Sequence, residues 1–216
     1  SGLVGSEMCI RDRYIILLLI ITVGFLLLGI VHGIIKSAPS IDDVSIVPSS
    51  YSTTVYNSDN KEIAKLITSG SNRIKVSLDQ VPTYLRWAFI DTEDARFYEH
   101  NGIDIQGIGR AALIAVTTLN PSEGASTITQ QVLKNNVFTN WTSESAFLSS
   151  LKRKIQEQYL AVQLEKVTSK ETILETYLNT INLGANTLGV QAASLRYFNK
   201  DVSKLTVSEA AVLAAT

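Results

Sequence analysis

The chain has 216 residues, 45% apolar and 18% charged, with 19 Lys and Arg against 20 Asp and Glu for a formal net charge of −1. That balance excludes a basic nucleic-acid binder and an acidic disordered tail. Twelve glycines, four prolines and no short-period repeat exclude collagen-like and low-complexity readings. One membrane segment and one globular domain remain.

The first dozen residues show no helical or strand period and read as a cloning or sequence-assembly artefact; residues 1–13 are assigned as a cytoplasmic tail. Residues 14–35 hold no formal charge, and at about 1.5 Å per residue such a helix crosses a hydrocarbon core of roughly 30 Å. A cleaved signal peptide needs an apolar run of about 7–15 residues and a small-x-small site, so an uncleaved anchor is the better reading. Arg11 and Arg13 precede the span, whereas Lys36, Asp42 and Asp43 follow it, which predicts a cytoplasmic N-terminus and an outer domain from residue 36 onward. His32 falls near the outer end of the span, at the interface. The single cysteine, Cys9, leaves the outer domain to be held by its core alone.

Residues 37–50 mix Ser, Pro and Asp with isolated aliphatics and read as a stalk, within a region of stalk and β element over 36–75. Ser52-Thr-Thr-Val-Tyr56 and Glu62-Ile-Ala-Lys-Leu66 flank Asn57-Ser-Asp-Asn60, a hairpin signal. Pro82 then opens a helix carrying Leu85, Trp87, Ala88 and Phe89 toward Glu93 and Asp94. Asp104 caps a second helix with Ile108, Leu113, Val116 and Leu119, stopped by Asn120-Pro121. Ser126 caps a third, and a longer one carries Leu148, Leu151, Ile155, Tyr159 and Val162 at helical spacing. Ser169 opens a helix with Ile173, Leu174, Tyr177, Leu178 and Ile181, closed near Gly184. Leu188, Ala192, Leu195 and Phe198 mark another, and Thr206-Val-Ser-Glu209 is a capping box opening the last. The prediction is a mostly α domain with a small N-terminal β element. Its final helix is apolar to Thr216 without a stop signal, which reads as a fragment truncated at the C-terminus.

Three segments carry chemistry. Glu93-Asp-Ala-Arg-Phe-Tyr-Glu-His100-Asn-Gly102 packs carboxylates, an arginine and a histidine behind an apolar helix, where a desolvated carboxyl gains basicity; a solvated helix end is the plainer alternative. In Gly124-Ala-Ser-Thr-Ile-Thr-Gln-Gln-Val-Leu-Lys134, the residues Thr127, Gln130, Gln131 and Lys134 share one face of a helix whose N-terminus offers N–H groups to an anion. That surface suits a sugar or phosphate, or is an ordinary solvated face. In Lys152-Arg-Lys-Ile-Gln-Glu157, Arg153 and Lys154 sit four and three residues before Glu157, and residues 133–170 hold six Lys/Arg against three Asp/Glu. A phosphate-bearing partner explains that excess, as does helix surface pairing. The sequon Asn140-Trp-Thr142 reads as chance. No metal-ligand spacing, nucleophile elbow or Walker loop occurs.

In this order the segments resemble family 51 glycosyltransferases, the peptidoglycan glycosyltransferase domain of class A penicillin-binding proteins and monofunctional transglycosylases, over residues 76–216. The match runs through Glu93-Asp-x-x-Phe97-x-x-His100-x-Gly102, Gly124-x-Ser-Thr-Ile-Thr-Gln-Gln131 with Lys134-Asn135, and Arg153-Lys-x-x-Glu157. It continues through Lys170-x-x-Ile-Leu-Glu175-x-Tyr-Leu-Asn179, Ala192-Ala193 with Tyr197-Phe198, and Leu205-Thr-Val-x-Glu-Ala-Ala211.

The resemblance implies a lysozyme-like glycosyltransferase domain that elongates glycan strands from lipid II on the outer face of the cytoplasmic membrane, with a polyprenyl-diphosphate-linked chain as donor. It implies that Glu93 is the catalytic base and Glu157 a second catalytic carboxylate. Asp94, Phe97, His100, Ser126, Thr127, Gln130, Gln131, Lys134, Arg153, Lys154 and Asn179 become substrate-binding. No tightly bound cofactor is implied, though a divalent cation, Mg or Mn, is an option beside Glu157. The partners implied are lipid II, the growing strand, the cytoplasmic membrane and other cell-wall synthesis proteins, with no nucleic acid. Three departures stand out: Ser149-Ser150 replaces an arginine common in the family, residues 137–150 fall in its variable region, and Gly184-Ala-Asn-Thr-Leu-Gly189 has fewer glycines. No transpeptidase domain follows in this chain. A lysozyme-like scaffold with paired carboxylates also suits a muramidase or lytic transglycosylase. An inactive membrane-anchored glycan-binding protein is the remaining class. The cations near Glu157, which a hydrolase does not need, favour transfer.

Overall fold

The structure, a computed structural model, describes residues 2–48, 50–66, 72–118, 124–138 and 147–216, in two compact units, Ser1–Pro39 and Ser40–Thr216. The first is helix α1, Gly2–Lys36, long and apolar enough to cross a membrane. It extends back through the residues that show no period of their own, because a helix once nucleated gains a hydrogen bond per added residue.

The second unit is mostly helical with one two-stranded antiparallel sheet, β1 (Thr53–Tyr56) and β2 (Glu62–Leu66), as predicted. Asn57 makes the turn: its Oδ1 accepts from Asp59 and Lys61 N–H at 3.0 and 2.8 Å, and Asn60 takes a left-handed φ of 59°. The stretch expected to be a stalk is partly core. Ile46 is buried and Ile41 and Val44 pack against the apolar cluster, so three isolated aliphatics suffice to dock an otherwise polar segment.

Helix α2 (Thr83–Glu93) follows Pro82 and buries Leu85, Phe89 and Ile90 while leaving Trp87 outside. α3 (Ile105–Thr118) starts as expected at Asp104, whose carboxylate accepts from Gly107 N–H at 2.9 Å. Its apolar face is not core: Leu113 and Val116 are exposed, and Gly107 is its buried residue. The predicted stop at Leu119, Asn120 and Pro121 lies outside the described residues, as does the Asn140 sequon.

α4 (Ile128–Asn136) is capped by Thr127 rather than Ser126; the Thr127 hydroxyl accepts from Gln130 N–H at 3.2 Å. α5 (Phe147–Val167) turns a different face inward than its aliphatics suggest. Gln156, Glu157, Leu160, Ala161 and Leu164 are buried, while Leu148 and Leu151 are exposed. Both sets have helical spacing, and pairing of Glu157 with cations on its own helix lets the polar set go inside.

α6 (Lys170–Thr180) is capped by Ser169 and buries Ile173, Leu174, Tyr177 and Leu178; it ends before Ile181, with Gly184 in the following turn. α7 (Val190–Phe198) begins only after Gly189, so Leu188 precedes it and forms short bridges to Arg73 and Asn182. A Cβ at Gly189 would lie 2.7 Å from the Asn179 carbonyl oxygen, and its φ of 80° suits glycine. The Thr206 to Glu209 capping box opens α8 (Val207–Ala214) as read from sequence. α4 packs on α5 and α6, and α2 on α8, and hydrogen bonds from Ile128 and Gln131 to Asp94 and Glu93 join the start of α4 to the end of α2.

Candidate active site

Glu93 is the last residue of α2, exposed, and its Oε2 accepts from Gln131 Nε2 at 2.7 Å. The desolvation expected of this carboxyl falls on its neighbour. Asp94 is buried, and its carboxylate accepts the Ile128 N–H at the start of α4 at 3.0 Å and meets His100 Nε2 at 2.9 Å. An acidic group at a helix N-terminus is favoured by the free N–H groups there, so Asp94 anchors α4 beside Glu93. Thr127 completes the junction by donating to the Gly102 carbonyl at 2.7 Å. Gly102 is required: its φ is 88°, and a Cβ there would lie 2.5 Å from the Ala161 backbone.

Around Glu93 lies a polar cavity of about 190 Å³, walled by Arg96, Asp104, Arg110 and the Gly124-Ala-Ser-Thr127 segment. Arg96 and Asp104 form a two-bond ion pair. Burial raises the Asp104 carboxyl, but the Arg96 and Gly107 hydrogen bonds and the Arg96 charge outweigh it and hold the group below its ordinary range. Arg96 and Arg110 are wall residues absent from the sequence prediction. Nothing in their spacing marks them, because the loop and α3 meet only in the fold.

A second cavity of about 290 Å³ is lined by Ser126, Gln130, Gln131, Lys134, Arg153, Lys154 and Glu157. Seven residues expected to act together thus converge there from α4 and α5. Glu157 is 1% exposed and pairs with Arg153, and with Lys154 at 3.6 Å. Lys154 donates to Ser126 Oγ at 2.6 Å and to Gln130 Oε1 at 3.2 Å. Burial pushes the Lys154 ammonium below the ordinary lysine range, Glu157 pulls it back, and Lys134 and Arg153 push with burial. Buried Gln130 Nε2 has no partner among the described residues, an unusual state for a donor. Ser126 lines both cavities, so the Glu93 and Glu157 sides share one hydroxyl.

Two residues expected to touch substrate, Phe97 and Asn179, are engaged inside the fold. Phe97 is fully buried under Lys170, whose Nζ lies 4.3 Å from the ring centroid. Asn179 accepts from Val76 N–H and donates to the Val76 and Glu175 carbonyls at 2.8–2.9 Å, so both its side-chain polar atoms are engaged inside the fold. Asp94 and Thr127 hold α4, as described, and both also line the Glu93 cavity. Among the described residues, no group of three or more His, Cys, Asp or Glu side chains is placed to hold a metal ion.

The geometry can be set against known proteins. The transglycosylase family model matches residues 59–216. The chain is 42% identical over 190 residues to penicillin-binding protein 1A of Clostridium botulinum, covering 86% of this chain and 22% of that protein. It is 43% identical over 194 residues to penicillin-binding protein 1A/1B of Bacillus subtilis, with 87% and 20% covered. Against penicillin-binding protein 1A of Escherichia coli it is 40% identical over 211 residues, with 94% and 23% covered. The chain therefore spans about a fifth of the length of these relatives. With the family model covering most of its outer unit, the chain belongs to the transglycosylase family, glycosyltransferase family 51.

Proposed function

We propose that the chain is a peptidoglycan glycosyltransferase that polymerises lipid II. The observation carrying this reading is the pairing of an exposed carboxylate, Glu93, with a separate cation-lined cavity across one shared hydroxyl, Ser126. Glu93 takes the proton from the acceptor GlcNAc 4-hydroxyl as that oxygen forms its bond to the donor C1. The C1–oxygen bond to the polyprenyl diphosphate breaks, and the diphosphate leaves with the electron pair. Gln131, bonded to Glu93, orients the base. Lys134, Arg153 and Lys154 stabilise the departing charge, the usual use of fixed cations at a developing anion, while Glu157 keeps the Arg153 and Lys154 side chains in place.

The residues beside Glu157 do not suit a divalent cation. Such ions take about six oxygen ligands, and the one carboxylate lining that cavity already pairs with two cations. In this reading α1 anchors the domain where a lipid-linked substrate is met, with Arg11 and Arg13 holding the N-terminus on the cytoplasmic side.

Polymerisation of labelled lipid II in detergent tests the assignment. Glu93→Gln should lower the rate by about 10²–10⁴-fold, the range for loss of a general base, with unchanged melting because Glu93 is exposed. Equal polymerisation by the variant would overturn the role of Glu93, and shortening of preformed strands would favour a muramidase.

A further inference from the structure

Trp87 belongs by sequence to the apolar set of α2, yet it is 47% exposed, and Tyr98 beside it is 48% exposed. Their ring centroids lie 5.9 Å apart with planes inclined at 55°. The pair bridges two elements that already serve the Glu93 cavity. Trp87 and Asp91 are four residues apart and share one face of α2, and Asp91 lines that cavity. The axial step between them is about 6 Å, comparable to one sugar ring. Tyr98 comes from the loop that supplies Ala95 and Arg96 to the same wall.

The surroundings select the ligand chemistry. Arg86 and Glu171 act electrostatically on Tyr98, and Asp91 follows along the helix face, so the two rings form an aromatic island among charges. A bilayer or an apolar peptide would have to desolvate those charges. A pyranose instead lays its C–H face on an aromatic ring and keeps its hydroxyl edge in water, which suits rings with one apolar face and wet borders.

We propose that Trp87 and Tyr98 form a stacking platform for pyranose rings of the N-acetylated glycan strand, adjoining the Glu93 cavity. This rests on the glycosyltransferase reading and extends its binding track beyond the two cavities.

The test uses the full chain in detergent with Trp141→Phe, so that emission reports Trp87 alone, titrated with chitopentaose. A saturable change in emission is expected, with affinity lowered about two- to tenfold by Tyr98→Ala, as for loss of one aromatic contact. In lipid II polymerisation, Trp87→Ala should yield shorter strands and Trp87→Phe should restore most of the length. Emission indifferent to chitopentaose overturns the platform, as does strong quenching of Trp87 by a brominated detergent, which would make the patch a membrane contact. A chain that polymerises lipid II without binding chitopentaose refutes the platform alone. One that binds chitopentaose through Trp87 but makes no polymer supports the platform and refutes the transfer reading.

Discussion

Two regions of the outer unit use the same residue types to opposite ends. At the C-terminal end, Gln191 donates to Asp201 and accepts from Val202 N–H, Ser194 donates to the Lys200 carbonyl, and Lys200 pairs with Glu209, which closes the cap of α8 on Thr206. Each of those groups ends on another part of the fold. On the α4 and α5 faces, three cations converge with one carboxylate, and a buried amide nitrogen has no partner among the described residues. Closed polar networks stabilise and specify a fold; the α4 and α5 faces instead gather three cations and one carboxylate around an open cavity.

That contrast can be broken experimentally, beginning where the largest effect lies. Glu157→Ala leaves Arg153 and Lys154 without their buried counter-charge, and unfolding experiments should show a loss of about 3–5 kcal/mol together with lost polymerisation. A variant as stable as wild type would mean that solvent already screens the cations. Asn179→Ala removes three buried hydrogen bonds and should cost about 2 kcal/mol, seen as a lower melting temperature. Because Asn179 lines neither the Glu93 cavity nor the Glu157 cavity, polymerisation well below that temperature should stay within about twofold of wild type; a larger rate loss at full folding would return Asn179 to the substrate. Thr206→Ala opens the closed network at its cap and should cost about 1 kcal/mol without altering the rate.

The gentlest probe is acid. Asp201 is held below the ordinary carboxylate range by its hydrogen bonds from the Ser203 side chain and backbone, and Asp104 by Arg96 and Gly107 against burial. Carboxyls lowered by folding contribute stability that is complete above their unfolded pKa and is lost as pH falls through their folded values. Stability should therefore decline from about pH 4 downward, and Asp104→Asn and Asp201→Asn should each flatten part of that decline in a denaturation series. Unchanged acid sensitivity in both would assign the effect to other carboxylates.

The helix starts at Asp104, Ser169 and Thr206 were legible because a cap is a local event, settled by a side chain and an N–H two or three residues away. The convergence of Arg153, Lys154 and Glu157 was legible for the same reason, since all three lie within one and a half turns of a helix. What the sequence could not disclose depends on packing between distant segments. The inward face of α5 does not follow from its aliphatic spacing, which says nothing about a carboxylate that carries its own cations inside. Phe97 and Asn179 stood within motifs yet serve Lys170 and Val76, partners 73 and 103 positions away in the chain. The exposure of Trp87 has no local signal, because it shares an apolar helix with the buried Leu85 and Phe89.

The hydroxyl between the two cavities has a polarity set by its neighbour. An ammonium group can only donate, so Ser126 must accept from Lys154. The serine proton is thereby turned away from the lysine, and one lone pair remains beside it. A ligand oxygen placed there finds a ready donor whose direction is fixed in advance, whereas a ligand cation would compete with Lys154 for the same atom. One lysine thus decides on which side the dividing wall can offer that proton.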